Sequence, residues 1–214
     1  MRQIHHGDVQ HFNRWAPNYD RTPGQFFFRW VQSPVAEALV RFAAHDSVGS
    51  VVDVGCGTGR LLERLLTLLP AAELAGVDLS EGMIRMARAR FQAEPRVRLE
   101  VAAANHLPFE DASVDAVTTT LSFHHWDHQA EAMREVTRVL RPGGRLLLAD
   151  VLAIGPFGRF AQMIAGRHGT GYRDGADLAE MLNGAGFTSW RRRAIFAPGI
   201  PIYLVEARRA LTPR

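Results

Sequence analysis

A chain of 214 residues is long enough for one globular core, and 47% hydrophobic with 22% charged residues is far from the composition of a disordered chain. The formal net charge of +3 is too small to argue for a nucleic-acid footprint, and all 25 basic residues are arginine, so Schiff-base aldolases, pyridoxal-phosphate enzymes and the usual phosphate-loop NTPases, which need a lysine amine, are excluded. No apolar run approaches the roughly 18 to 20 residues of a membrane span, and the first thirty residues do not form an apolar signal core, so a cytoplasmic protein is expected.

Residues 1–45 are rich in aromatics, with Phe12, Trp15, Tyr19, Phe26, Phe27, Phe28 and Trp30; they read either as packing on a sheet edge or as a helical lid. The run 50–54 is a nearly continuous apolar strand, as expected when both faces are covered. Leu61, Leu62, Leu65, Leu66 and Leu69 then repeat at helical spacing until Pro70 stops the helix. A strand at 74–78, a helix at 81–93 with Ile84, Ala87 and Phe91 on one face, and a strand at 96–101 follow. A fourth strand at 114–121 precedes a helix at 129–140, and Pro142, Gly143 and Gly144 make the turn into a fifth strand at 145–151. The segment 155–173 falls outside the alternation and is a second candidate for covering a site. A helix at 177–185 closed by Gly186, and a hairpin of strands 188–196 and 202–207 about the turn 197–201, complete the chain. Such alternation is the signal of βαβ units around a parallel sheet, here of seven strands. It predicts one domain over 1–214, made of the lid 1–45, a core 46–154, the cap 155–173 and a final helix and hairpin over 174–214.

Between the first strand and its helix lies Asp53-Val-Gly55-Cys56-Gly57-Thr-Gly59. Glycines permit a tight turn and close approach of a ligand to backbone, and the free N–H groups of a helix start suit polar groups. Asp78 ends the next strand, 78 − 53 = 25 positions on, where a carboxylate can accept from both hydroxyls of a ribose. The same fold also binds dinucleotides, but the third glycine of that fingerprint falls on Arg60, and a Tyr-x-x-x-Lys pair is impossible in a lysine-free chain.

These residues resemble the class I methyltransferases, and in particular the type 11 branch that includes ubiquinone and menaquinone C-methyltransferases. Val51-Val-Asp-Val-Gly-Cys-Gly-Thr-Gly59 is similar to that family's first motif and Gly76-Val-Asp-Leu-Ser-Glu-Gly-Met83 to its second. Leu107-Pro-Phe109, Ser113-Val-Asp-Ala116, Arg138-Val-Leu-Arg-Pro-Gly-Gly144, Ala185-Gly-Phe187 and Trp15-Ala-Pro-Asn-Tyr-Asp20 match later and earlier landmarks. The resemblance implies a three-layer Rossmann-like methyltransferase fold, with a mostly parallel seven-stranded sheet whose last strand is antiparallel, and S-adenosyl-L-methionine as cofactor. It assigns Gly55, Gly57 and Gly59, with Cys56 among them, to the methionine portion, and Asp53 to shaping that loop. Asp78 takes the ribose, and Leu79 and Met83 flank the adenine. Ala103, Ala104, Asn105 and Leu121 complete the cofactor side, and Tyr19 belongs to a lid over the methionine end. Relatives usually carry an Asp where this chain has Ala103, leaving Asn105 or water to meet the adenine amino group.

His124 and His125, just past the fourth strand, are the candidates for a general base. They read equally as a helix cap and a packed residue. A metal set of His124, His125, Asp127 and His128 is the weaker alternative, so no metal is expected. Cys56, inside the glycine loop, is a cofactor-loop residue rather than a reactive thiol, and as the lone cysteine it suits a reducing compartment. Thr119-Thr-Leu-Ser-Phe123 lacks the Asn/Asp-Pro-Pro-aromatic signature of enzymes that methylate nucleobase amines, so DNA is not expected. Arg191, Arg192 and Arg193 suit a solvated strand edge better than an RNA-binding stripe. The expected partner is therefore a small, apolar or aromatic methyl acceptor; an RNA methyltransferase and a non-catalytic cofactor-binding protein stay open, and a homodimer is compatible with the sequence.

Overall fold

Ser50–Val54 (β1) is the pivot of the architecture, pairing in parallel with Glu73–Asp78 (β2) on one side and Val114–Thr120 (β4) on the other. The computed structural model describes residues 6–22, 24–154, 173–197 and 200–211. Val97–Val101 (β3) continues beyond β2. Leu140–Val151 (β5), Phe187–Ala197 (β6) and Ile200–Arg209 (β7) complete the order β3-β2-β1-β4-β5-β7-β6. Only β7 runs antiparallel, as the family resemblance implies. The order reverses between β1 and β4, so their carboxyl ends diverge and leave a crevice, the position where open α/β sheets bind ligands.

Alternation along β1 sends Val51 to one face of the sheet and Val52 and Val54 to the other, and each face is covered by helices. On the first face, Gln25–Ala43 (α2) buries Val31, Val35 and Leu39, Arg60–Leu68 (α3) buries Leu61, Leu62 and Leu65, and Glu81–Arg90 (α4) buries Ile84 and Ala87. On the second, Gln129–Val139 (α5) and Gly175–Gly184 (α6) bury Met133, Val136, Leu178 and Leu182. His6–Tyr19 (α1) lies against α4. Among the described residues, no helix is long and apolar enough to cross a membrane.

Two landmarks of the sequence are ties between elements. Asp115 accepts from the Gly49 and Ser50 amides (2.8 and 2.9 Å), fastening β4 to the start of β1. Arg138 donates to the carbonyls of Phe109 and Leu107 (2.8 and 3.1 Å) and pairs with Glu135, which fixes the long β3–β4 connection to α5.

The differences from expectation lie at element ends. α4 stops at Arg90 rather than 93, because the chain must leave helical geometry ahead of Pro95 and Phe91 turns into the core. β5 begins at Leu140, not 145: Pro142-Gly143-Gly144 is an irregularity inside a strand already paired to β4 through Val114 and Leu140. A Cβ on Gly144 would sit 2.9 Å from the carbonyl oxygens of Arg141 and Asp115, so glycine lets the two backbones approach. The cap expected at 155–173 lies, but for Arg173, outside the described residues. The β6–β7 hairpin forms as expected, but its strands stay paired as far as Ala197 and Ile200, so the turn is shorter than the expected 197–201; residues 198 and 199 are likewise outside the described residues.

Candidate active site

The carboxyl ends of β1, β2, β3 and β4, with α1 and α2 above them, enclose one cavity. Its floor is the loop after β1. The Gly55 and Cys56 amides donate to the Val77 carbonyl (2.8 and 3.0 Å), and Gly57 donates to Asp78 Oδ2 (2.9 Å), so the loop is stitched to the end of β2. Gly55 has φ +74°, and a Cβ there would collide with the Ser122 hydroxyl. A Cβ on Gly57 would meet nothing within 4 Å, so the loop backbone faces open space.

Asp78 also accepts from the Ser80 amide (2.9 Å) through Oδ1. Burial raises its carboxyl, opposed by the amides of Ser80 and Gly57. Beyond β2, Leu79, Ser80 and Met83 line the cavity, and Ser80 caps α4 by accepting from the Met83 amide (3.2 Å). After β3 come Ala103, Ala104 and Asn105 in the wall, with no carboxylate at Ala103. After β4, Leu121 enters the wall with φ +51°, a conformation rare for a branched residue, while its amide donates to the Ala149 carbonyl (2.8 Å).

Three predicted residues of the loop point elsewhere. Asp53 is buried behind it and accepts from the Thr118 hydroxyl (2.8 Å); burial pushes its carboxyl up to about 7, against that hydrogen bond and with the aid of the Asp78 charge. Cys56 is buried and turned towards β2, with its Sγ 2.8 Å from where a Gly76 Cβ would lie. Burial, then the charges of Asp78 and Asp53, pushes its thiol up. Gly59 starts α3 with φ +83° and lies against Phe91 and Ala87, so its small size serves packing on α4 rather than the cavity.

The roof is aromatic. Phe12, Tyr19 and Phe28 line the cavity, and Trp15 packs edge-on to Tyr19 at 4.8 Å. Burial first, then the charges of Asp78 and Asp20, pushes the Tyr19 phenol well above its ordinary range, so it stays an O–H donor. Two polar fastenings hold α1 down. Asn13 Oδ1 accepts from the Ser80 hydroxyl (2.7 Å) and the Gly82 amide (2.8 Å), and Asp20 accepts from Thr58 Oγ1 (2.8 Å) and from the Arg90 guanidinium. Composition and periodicity gave no sign of either fastening, because both partners of each bond come from separate elements.

The two histidines sit on the 3-10 turn Phe123–His125 and part company. His125 lines the cavity, edge-on to Phe12 at 5.5 Å. His124 lies 4.0 Å from it, ring to ring, with Nδ1 2.7 Å from Oδ1 of Asp150, whose other oxygen accepts the His124 amide (3.2 Å). Asp150 is wholly buried and takes the Val151 amide as well (2.7 Å). Sequence reasoning missed Asp150. The available signal was a lone carboxylate closing the apolar run of β5, next to the strand that carries the histidines. His128 turns instead towards Glu131 of α5 (3.8 Å), and among the described residues no three potential metal ligands converge.

A family described as a methyltransferase domain matches residues 52–148. The demethylmenaquinone methyltransferase of Deinococcus radiodurans is 31% identical over 191 residues, covering 78% of this chain and 77% of that one. The chain belongs to the S-adenosylmethionine-dependent methyltransferases. The malonyl-[acyl-carrier protein] O-methyltransferase of Hahella chejuensis is 35% identical over 144 residues, 67% of this chain; the chain spans only about half (49%) of that relative. A solved methyltransferase of Thermotoga maritima, described as S-adenosylmethionine-dependent, superposes with a TM-score of 0.69 at 21% identity, covering 92% and 98% of the two chains, and shows the shared fold.

With the family comes its cofactor, S-adenosylmethionine, and the cavity of this methyltransferase fits it. The Gly57 backbone faces open space, each Asp78 oxygen accepts one amide and so keeps a lone pair for a further donor, and an aromatic roof faces the carboxylate side.

Proposed function

We propose that this methyltransferase transfers the methyl group of S-adenosylmethionine to a small apolar or aromatic acceptor that carries an ionisable hydroxyl or an activated carbon. The supporting observation is one cavity that joins the glycine loop and Asp78 at one end to Phe12, Phe28, Trp126 and His125 at the other. In this reading the Gly55 and Gly57 backbone receives the methionine portion under the Tyr19 hydroxyl, Asp78 the ribose, and Leu79 and Met83 the adenine beside 103–105. When bound, the cofactor would supply an electrophilic methyl on a sulfonium, whose sulfur leaves as a neutral thioether when the acceptor takes the methyl in line. The residues align the acceptor and exclude water, and the aromatic faces stabilise nearby positive charge.

His124, ring to ring at 4.0 Å with the cavity-lining His125, takes the acceptor's proton. A base with one ring nitrogen held by a buried carboxylate has a fixed tautomer and ring plane, and Asp150 supplies that hold at Nδ1. His125 shapes the wall against which the acceptor lies. The cytoplasm is the proposed setting. The test is an acceptor screen with isotopically labelled cofactor, followed by single-turnover rates. His124→Ala should slow the chemical step much more than His125→Ala, with cofactor affinity nearly unchanged. If neither substitution alters the rate or its pH profile, the histidines are structural and alignment alone drives transfer.

A further inference from the structure

Beside the lid, and sharing no residue with the cofactor cavity, a groove between α2 and α3 is lined by Arg29, Gln32, Ser33, Arg60, Glu63 and Arg64. We propose that this groove binds a phosphate group. Three guanidiniums face a single lining carboxylate, and Glu63 Oε2 is already shared between Arg90 (2.8 Å) and Arg60 (3.3 Å), while Arg60 also reaches Asp20 (3.3 Å). Arg29 and Arg64 make no ion pair among the described residues. Ser33 does not neutralise Arg64 but positions it: its hydroxyl donates to the Arg29 carbonyl (2.9 Å) and its oxygen accepts from Arg64 Nη1 (2.6 Å).

The surplus charge is also placed against the helix. Arg60 opens α3 and Arg64 follows one turn later, so both lie near the end where the helix dipole is itself positive, an arrangement that favours an anion between them. Guanidinium forks match phosphate oxygens in pairs, and the Gln32 amide adds a neutral donor. Phosphate is one chemistry with two sources: free in solution, or borne by a larger molecule.

Calorimetry on the whole chain with inorganic phosphate and with phenyl phosphate, at matched ionic strength against chloride, tests this. Phosphate should bind and weaken with added salt. Arg29→Gln combined with Arg64→Gln should lower the affinity about tenfold or more, as expected for lost charge-assisted bonds, while S-adenosylhomocysteine binds as before. Arg134→Gln, an exposed arginine on α5, should change nothing. Tighter binding of phenyl phosphate than of phosphate identifies the group as part of a larger ligand, and equal binding identifies free phosphate. Phosphate heats that match chloride, or that persist undiminished in the double variant, overturn the proposal.

Discussion

Replacing Asp150 with asparagine keeps its volume but removes the charge that orders the histidine turn. In the native structure this carboxylate accepts three hydrogen bonds: the His124 ring at 2.7 Å, the His124 amide at 3.2 Å and the Val151 amide at 2.7 Å. An amide side chain has one acceptor and one donor end, so one of its contacts becomes donor against donor, or the imidazole must change tautomer. A hydrogen bond to a charged group contributes about 1.5–3 kcal/mol, and each 1.36 kcal/mol is a factor of ten in rate, so Asp150→Asn should slow methyl transfer roughly ten- to a hundredfold. The assay is single-turnover transfer to the screened acceptor, with S-adenosylhomocysteine affinity measured alongside to show that the cofactor site is intact. In a His124→Ala background the same substitution should cost little more, because the two act as a unit. Asp150→Asn rates within about twofold of the parent, or penalties that add fully in the double variant, would refute the positioning role.

S-adenosylmethionine and S-adenosylhomocysteine should each raise the melting temperature, and Asp78→Ala should abolish most of that rise, since it removes the carboxylate and leaves the Gly57 and Ser80 amides without their acceptor; stabilisation by NAD instead would sink the cofactor assignment. Asp53 has a folded pKa of about 7 against an ordinary 3.8, so its contribution to stability is full below about 3.8 and is lost as pH rises towards 7. Asp53→Asn should therefore gain stability relative to the parent at pH 8 compared with pH 5, and parallel melting curves at the two pH values would contradict this. Because Ala103 offers no carboxylate, a cofactor analogue lacking the adenine amino group should bind within about tenfold of the natural one, as loss of a single neutral hydrogen bond costs about 1 kcal/mol; a much stronger preference would move that role to Asn105.

The alternation of strands and helices, the glycine loop and Asp78 were legible in the sequence because each rests on local signals. Apolar runs mark buried strands, and three glycines between a strand and a helix mark a turn that other residues cannot make. Residue-by-residue assignment within that loop was less secure. Alternate positions of a tight turn face opposite ways, so Cys56 meets the core while Gly55 and Gly57 on either side of it meet the cavity; Gly59 already belongs to the start of α3 and packs on Phe91 and Ala87. The extra residues of β5 were hidden by Pro-Gly-Gly, which reads as a break but acts as an irregularity within a paired strand. Asp150, Asn13 and Asp20 were invisible for a common reason. Their roles come from partners 26, 67 or 70 positions away, brought close only by the sheet order and the fold of α1 onto α4.

Cys56 gives this molecule a built-in chemical clock. It is the only thiol in the chain, it is buried beneath the cofactor loop, and its environment disfavours the thiolate that alkylating reagents require. Modification by iodoacetamide must therefore wait for the loop to lift away from β2, and when reclosing is faster than reaction the labelling rate equals the open fraction multiplied by the rate of an unhindered thiol. Any ligand that holds the loop closed slows labelling by the factor 1 + [L]/Kd. The affinity of the natural protein for its cofactor can thus be read by mass spectrometry of one residue, without a methyl acceptor.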